Sequence, residues 1–209
     1  MGTAERRERE REHVRTAIIE AARDLISSQG LSGLSMRAIA ERIEYSPATI
    51  YLYFRDKDEL VGQVCGEAFE LLNDYVTREV AAAGETANAA EQYGAIGRAY
   101  VRFALDHTAY FRVMFELPQV AQMDCPEPEA PAGLESVVAT VQRGVDEGLI
   151  DSKDARRTAI LGWGLVHGLT SLYLTGHLGE VVDSNDKFLE LIEEAMQTLG
   201  VGFRSLDRR

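Results

Sequence analysis

The chain is predicted to be all-α, with three short N-terminal helices continuous with a larger helical region. Three observations predict the helices. Apolar residues recur at intervals of three and four along most of the chain. No convincing segment alternates apolar and polar residues with the two-residue period of a half-buried strand. The periodic segments are also bounded by helix signals, with Ser35, Ser46-Pro47 and Asp56 at starts and Gly30 and Gly148 at ends.

Val14, Ile18, Ala22, Leu25 and Ile26 form the stripe of a first helix. Gln29-Gly30 closes it, because glycine enters the left-handed conformation without a Cβ penalty. Ser35 caps a second helix, with Met36, Ile39, Ala40 and Ile43 inward. A third opens at Ser46-Pro47, where proline's missing N–H has no intrahelical partner to lose, and turns Ile50 and Phe54 to the core. Asp56 and Glu59 stand at capping-box spacing before a fourth. Leu60, Val64, Ala68, Leu71 or Leu72, and Val76 carry that helix on with no linker. Beyond Gly84 the spacing resumes through Tyr93, Ile96, Tyr100, Phe103 and Ala104, then Phe111, Met114 and Phe115, until Pro118. Four of the five prolines lie between 118 and 131, which predicts a loop. Val137, Val138, Val141 and Val145 rebuild a helix that Gly148 closes. "ARRTAILGWGLVHGLTSLYLTGHL" follows, and then a last amphipathic helix through Phe188, Leu189, Ile192, Met196 and Leu199.

A composition of 45% apolar and 27% charged residues suits a globular chain able to bury a core. No run of eighteen apolar residues offers a membrane span, and "MGTAERRERERE" lacks the apolar stretch of a secretory signal, so a cytoplasmic location is expected. Cys65 and Cys125 have no His or Cys at ligand spacing, so neither metal, disulfide nor cofactor is expected. His13, His107, His167 and His177 have no acid at catalytic spacing, and no Gly-rich phosphate loop exists, so no catalytic residue is assigned.

The net charge of −12 opposes a nucleic-acid partner only if it is spread evenly. It is not: residues 1–64 carry ten Lys/Arg against eleven Asp/Glu, and the remainder carries twelve against 23. The first third can therefore face phosphates. Arg6, Arg7, Arg9, Arg11 and Arg15 cluster there, with Glu5, Glu8, Glu10 and Glu12 interleaved. That run reads equally as a DNA-facing arm or as a solvated charged surface.

Two short helices separated by three or four residues, the second opened by Ser-Pro, make a helix-turn-helix unit. Such a unit lays the amino end of its second helix in the major groove. Arg37, Pro47, Ala48 and Thr49 are then the candidates to face bases, Arg37 forking onto guanine and Ala48 or Thr49 touching a thymine methyl. Tyr51 and Tyr53 can donate hydroxyls to phosphate, and Lys57 reaches the same strand. They read otherwise as core aromatics, but the two cannot both point inward from one short helix.

"LSMRAIAERIEYSPATIYLYFRDKDEL" resembles the DNA-binding domain of TetR-type transcriptional regulators, over about residues 10–64. The family's Tyr-x-x-Phe or Tyr-x-His-Phe ending, then Lys-x-x-Leu, is met by Tyr51, Tyr53, Phe54, Lys57 and Leu60. The resemblance implies an all-helical homodimer. It implies that Arg37, Pro47, Ala48 and Thr49 address bases while Ser35, Ser46, Tyr51, Tyr53 and Lys57 address phosphates. The family commonly has Gly then Val in the turn, where this chain has Glu44 and Tyr45. That departure implies either strain at Glu44 or a different turn.

"GWGLVHGL", with Trp163, His167 and Gly168, resembles the subgroup whose C-terminal domain is named for a Trp-His-Gly motif. By that resemblance Tyr100, Phe103, Phe111, Met114, Trp163 and His167 are pocket candidates, although Tyr100, Phe103, Phe111 and Met114 are first core residues and His167 is first a hydrogen-bonded structural one. Trp163 and His167 lie on one stripe of this helix and Leu165, Leu169 and Leu172 on another. One lines the cavity and the other meets a partner subunit, and the sequence does not say which; the second stripe is assigned to a dimer interface with Phe188, Leu189, Ile192 and Met196 of the last helix. Gly162, Gly164 and Gly168 each weaken a helix by about 1 kcal/mol, so close helix contacts are expected to offset them. The division expected is residues 1–60 for the N-terminal arm and DNA binding, and 61–209 for ligand and partner. The expected function is a homodimeric regulator, a repressor of a double-stranded operator with an inverted repeat, released by a small apolar ligand. The alternatives are a regulator without a ligand and a non-specific architectural DNA-binding protein.

Overall fold

The computed structural model describes residues 3–115 and 132–206, with side chains over 5–30, 32–115 and 132–198. The proline-rich stretch, Cys125 and the Leu199 side chain lie outside the described residues. Among those described there are nine α-helices and no strand: α1 Thr3–Gly33, α2 Met36–Arg42, α3 Pro47–Ile50, α4 Lys57–Ala82, α5 Ala89–Asp106, α6 Thr108–Phe115, α7 Leu134–Asp146, α8 Ala155–Leu174 and α9 Asn185–Leu206. No described helix is long and apolar enough to cross a membrane.

The caps act where the sequence puts them. Ser35 accepts from the Ala38 amide at 3.1 Å, Ser46 from Thr49 at 3.2 Å, and Asp154 from Arg157 at 2.9 Å. Asp56 accepts from the Glu59 amide at 2.9 Å, but the Glu59 carboxylate returns to the Arg55 amide at 2.7 Å, one residue earlier than a capping box requires. The reciprocal box lies instead at the start of α5. There Asn88 accepts from the Glu91 amide at 3.0 Å while Glu91 accepts from the Asn88 amide at 2.9 Å. The sequence carried that signal, Asn-x-x-Glu before an apolar run.

Three boundaries differ from expectation. α1 begins at Thr3 rather than Val14, because arginine and glutamate are strong helix formers and Glu5 stands four residues before Arg9. It kinks at Gly30, whose φ of +69° breaks the helical path. α3 is a single turn ending at Ile50, and residues 51–53 continue as turns bonded to Pro47, Thr49 and Ile50 carbonyls. α5 and α6 are separate helices, divided at His107.

The chain forms two compact units whose boundary falls inside α4. One takes in the chain through Ala68 together with α6; the other takes in Phe69–Asp106 and the helices from α7 onward. The core of the first, hereafter the head, is Ile18, Ala22 and Ile26 of α1, Ile39 of α2, Ile50, Phe54, and Leu60, Val61 and Val64 of α4, with the Cys65 thiol buried beside them. α6 joins it through Tyr110. The Arg23 guanidinium lies over the Tyr110 ring at 5.7 Å, and the Tyr110 hydroxyl donates to Glu67 at 3.3 Å. In the second unit Val141, Ala155 and Ala159 form a cluster covered by Tyr93, Leu134, Val137, Val138 and Ile150. Phe188 stacks on Tyr173 there, with ring centroids 4.2 Å apart.

Candidate nucleic-acid interface

The turn between α2 and α3 is a Schellman closure. The Tyr45 amide reaches the Ala40 carbonyl at 2.9 Å and the Glu44 amide reaches Glu41 at 3.4 Å. The same pair of bonds ends α7 around Gly148 and α8 around Gly176, each at positive φ. Here the left-handed position is filled by Glu44, at φ +60° the one non-glycine residue with positive φ among those described. The turn keeps the form glycine would give it, and the departure from the family pattern is met by backbone strain. Glu44→Gly is therefore expected to raise stability by about 0.5–1 kcal/mol, strain relief outweighing the extra freedom of the unfolded chain. A higher urea midpoint at unchanged slope would show it.

Beyond the turn, α3 presents its amino end to solvent. Ser35, Arg37, Ser46, Pro47 and Ala48 are exposed, and Thr49 is half-buried. The Thr49 hydroxyl lies 2.9 Å from that of Ser46, within the cap. Ile50 and Phe54 are sealed in the core as their spacing predicts. Tyr51 is 55% exposed and Tyr53 half-buried, so at least one phenol faces outward. Leu52, which the sequence reading passed over, is 75% exposed between them. The signal was present: Ile50 and Phe54 point inward four apart, which turns the midpoint of that interval outward. Lys57, in the first turn of α4, is half-buried. Arg55 pairs with Asp56 at 2.8 Å. The Asp56 carboxyl is held below the usual carboxylate range first by the Glu59 amide and then by Arg55.

The six pocket candidates divide between the units. Phe111 and Met114 lie on α6, buried in the head. Tyr100, Phe103, Trp163 and His167 lie in the second unit, where three of them meet. The Tyr100 hydroxyl is 2.8 Å from His167 Nδ1, and the Trp163 ring lies edge-on to His167 with centroids 6.1 Å apart. Burial raises the Tyr100 phenol, and a hydrogen bond from Trp163 opposes it. Phe103 packs elsewhere, edge-on against Tyr75. Trp163 is not enclosed, at 44% exposed.

The expected dimer residues also need correction. Phe188 and Ile192 are buried in the protomer's own core, because the stack on Tyr173 turns that face of α9 inward. Leu165, Leu169, Leu189 and Met196 are half-buried, and Leu172 is exposed. The outward apolar row of α8 runs instead through Ile160, Gly164, Gly168 and Leu172, four residues apart, with Leu161 and Trp163 beside it. A Cβ at Gly164 or Gly168 would meet nothing, whereas one at Gly162 would overlap the Tyr93 hydroxyl.

Comparison with protein-family models matches residues 18–64 to the bacterial regulatory proteins of the tetR family. Residues 94–196 match the tetracyclin repressor-like C-terminal domain. The chain belongs to the TetR family of transcriptional regulators. This TetR-family chain is 31% identical over 113 residues to the HTH-type transcriptional repressor Rv3405c of Mycobacterium tuberculosis, an alignment covering 54% of this chain and 58% of that protein. It thus spans little more than half the length of that curated relative. Among solved structures, a protein of unknown function from Rhodococcus sp. RHA1 is 25% identical with a TM-score of 0.72, covering 90% of this chain and 94% of that one. The regulator FadR of Bacillus subtilis, solved with stearoyl-CoA, shares the fold at a TM-score of 0.71 and 17% identity, over 90% of this chain and 98% of that one.

Proposed function

We propose that this TetR-family chain is a homodimeric, sequence-specific DNA-binding repressor, released by a small, largely apolar ligand. Residues 1–60 carry DNA recognition, and 61–209 carry ligand binding and dimerisation. The observation that carries the reading is the exposed amino end of α3, rigidly capped by Ser46 and standing on a buried Ile50 and Phe54. Such an end enters a major groove with its backbone amides and small side chains leading. Arg37, Pro47, Ala48 and the Thr49 methyl address base edges; Ser35, Ser46, Tyr51, Tyr53 and Lys57 hold phosphates and set register.

The dimer forms on α8. Exposed apolar area of this kind marks an interaction surface, and the Ile160–Gly164–Gly168–Leu172 row lets a second helix approach closely. The ligand is held at the Tyr100–Trp163–His167 group, which supplies a few polar atoms at an otherwise apolar α5–α8 seam. Stearoyl-CoA in FadR is a precedent on this fold for a ligand that carries a long apolar chain. α4 contributes to both units without interruption, so a ligand that prefers one tilt of α4 changes the spacing of the two α3 ends. For DNA binding that spacing must be about 34–36 Å or a multiple of it.

Selection from a randomised duplex pool is the test. The protein is expected to enrich an inverted repeat whose half-sites lie one helical turn apart or a multiple of it, about 10–10.5 base pairs. Binding that is steeply salt-dependent and indifferent to sequence would overturn the reading in favour of an architectural role.

A further inference from the structure

The first two and a half turns of α1 stand clear of the head, with residues 5–13 all exposed. Arg7, Arg11 and Arg15 fall four apart on one row, which continues through Ile18 and Ala22 into the head's core. At about 100° per residue Glu8 and Glu10 stand about a quarter-circle to either side of Arg7 and Arg11, while Glu5 and Glu12 are turned further away. Arg15 is anchored, its guanidinium over the Phe54 ring at 5.4 Å and donating to Gln63 at 2.8 Å. Arg7 and Arg11 have no ion pair or hydrogen bond among the described residues.

Direction is set by two cross-links. Arg15 of α1 meets Gln63 of α4, and Arg23, eight residues on, is joined through Tyr110 to Glu67. α1 and α4 therefore run the same way, and lower numbers on α1 lead toward the end of the head that holds Lys57, Tyr53 and Tyr51. Arg7 lies about 12 Å beyond Arg15 in that direction.

We propose that Arg7 and Arg11 grip the DNA sugar-phosphate backbone outside the half-site read by α3, so that α1 is a rigid arm lengthening the footprint. This rests on the DNA-binding reading above. Charge complementarity favours duplex phosphate as the occupant: two arginines about 6 Å apart along the helix axis can each take a phosphate, and each neutralised phosphate adds to the salt dependence.

The test is fluorescence anisotropy on the selected inverted repeat, bare or extended by about ten base pairs on each side, a full turn of duplex. Wild type and Arg7→Ala/Arg11→Ala are compared from about 50 to 200 mM salt. On the extended duplex the double variant is expected to lose about tenfold in affinity and about two from the magnitude of the log–log salt slope per arm. On the bare repeat it should match wild type. Arg7→Lys/Arg11→Lys should keep most of the slope, and unchanged helical circular dichroism would confirm that the arm is intact. Equal affinity and slope of wild type and double variant on the extended duplex would overturn the arm while leaving operator recognition standing. An equal loss on both lengths would overturn its placement outside the half-site. If wild type selects no duplex at all, both readings fall.

Discussion

Gly162→Ala is expected to destabilise the second unit by about 2–3 kcal/mol, although alanine is the better helix former by about 1 kcal/mol. A Cβ there would overlap the Tyr93 hydroxyl, which is buried on the α8 backbone and has no hydrogen-bond partner. Burial pushes that phenol up to about 12, so it stays a neutral, solvent-free group in direct contact with the glycine. Tyr93→Phe alone should be neutral or stabilising by up to about 1 kcal/mol, because it removes an unsatisfied polar atom. The double variant should recover at least half of the loss, since the ring carbon left behind lies 3.0 Å from the new Cβ and needs to yield only a few tenths of an ångström. Chemical unfolding of the four proteins gives the coupling directly. Additive effects would mean that the glycine is there for another reason.

The second large effect belongs to DNA binding. Ala48→Glu should reduce operator affinity about 100-fold or more while leaving stability unchanged. The position is exposed, and an acidic side chain in the first turn of a helix suits its dipole, so the head itself has no cause to suffer. Against a duplex the same carboxylate stands among phosphates, a like-charge juxtaposition that costs several kcal/mol. Anisotropy titration on the selected repeat measures it, beside a melting curve for the free protein. Wild-type affinity would mean that the end of α3 does not meet the groove.

Much of this architecture was legible because local and periodic signals agreed. Ser35, Ser46 and Asp56 each cap as assigned, and Ile50 and Phe54 are buried as their spacing implies. The helix-turn-helix could be read for the same reason: its determinants lie within 25 residues of one another. Where the reading failed, the deciding partner was remote in sequence. The purpose of Gly162 is invisible without Tyr93 on another helix. The inward turn of Phe188 depends on Tyr173, so periodicity could show that α9 has an apolar face without showing what covers it. The division at His107 had no glycine or proline to announce it. Exposure of Trp163 reversed the intuition that a lone tryptophan is enclosed. The arm was undervalued for a different reason: with no apolar stripe to read, propensity alone had to predict a helix, and propensity is a weak prior.

Tyr110 has one more implication. It clips Arg23 and Glu67 from a position more than forty residues further along the polypeptide, so the DNA-reading half is not a contiguous cassette. A fragment ending after α4 would strip the ring from beneath Arg23 and leave apolar surface where Phe111 and Met114 had packed. Grafting this half onto a foreign regulator would therefore require carrying α6 along with it.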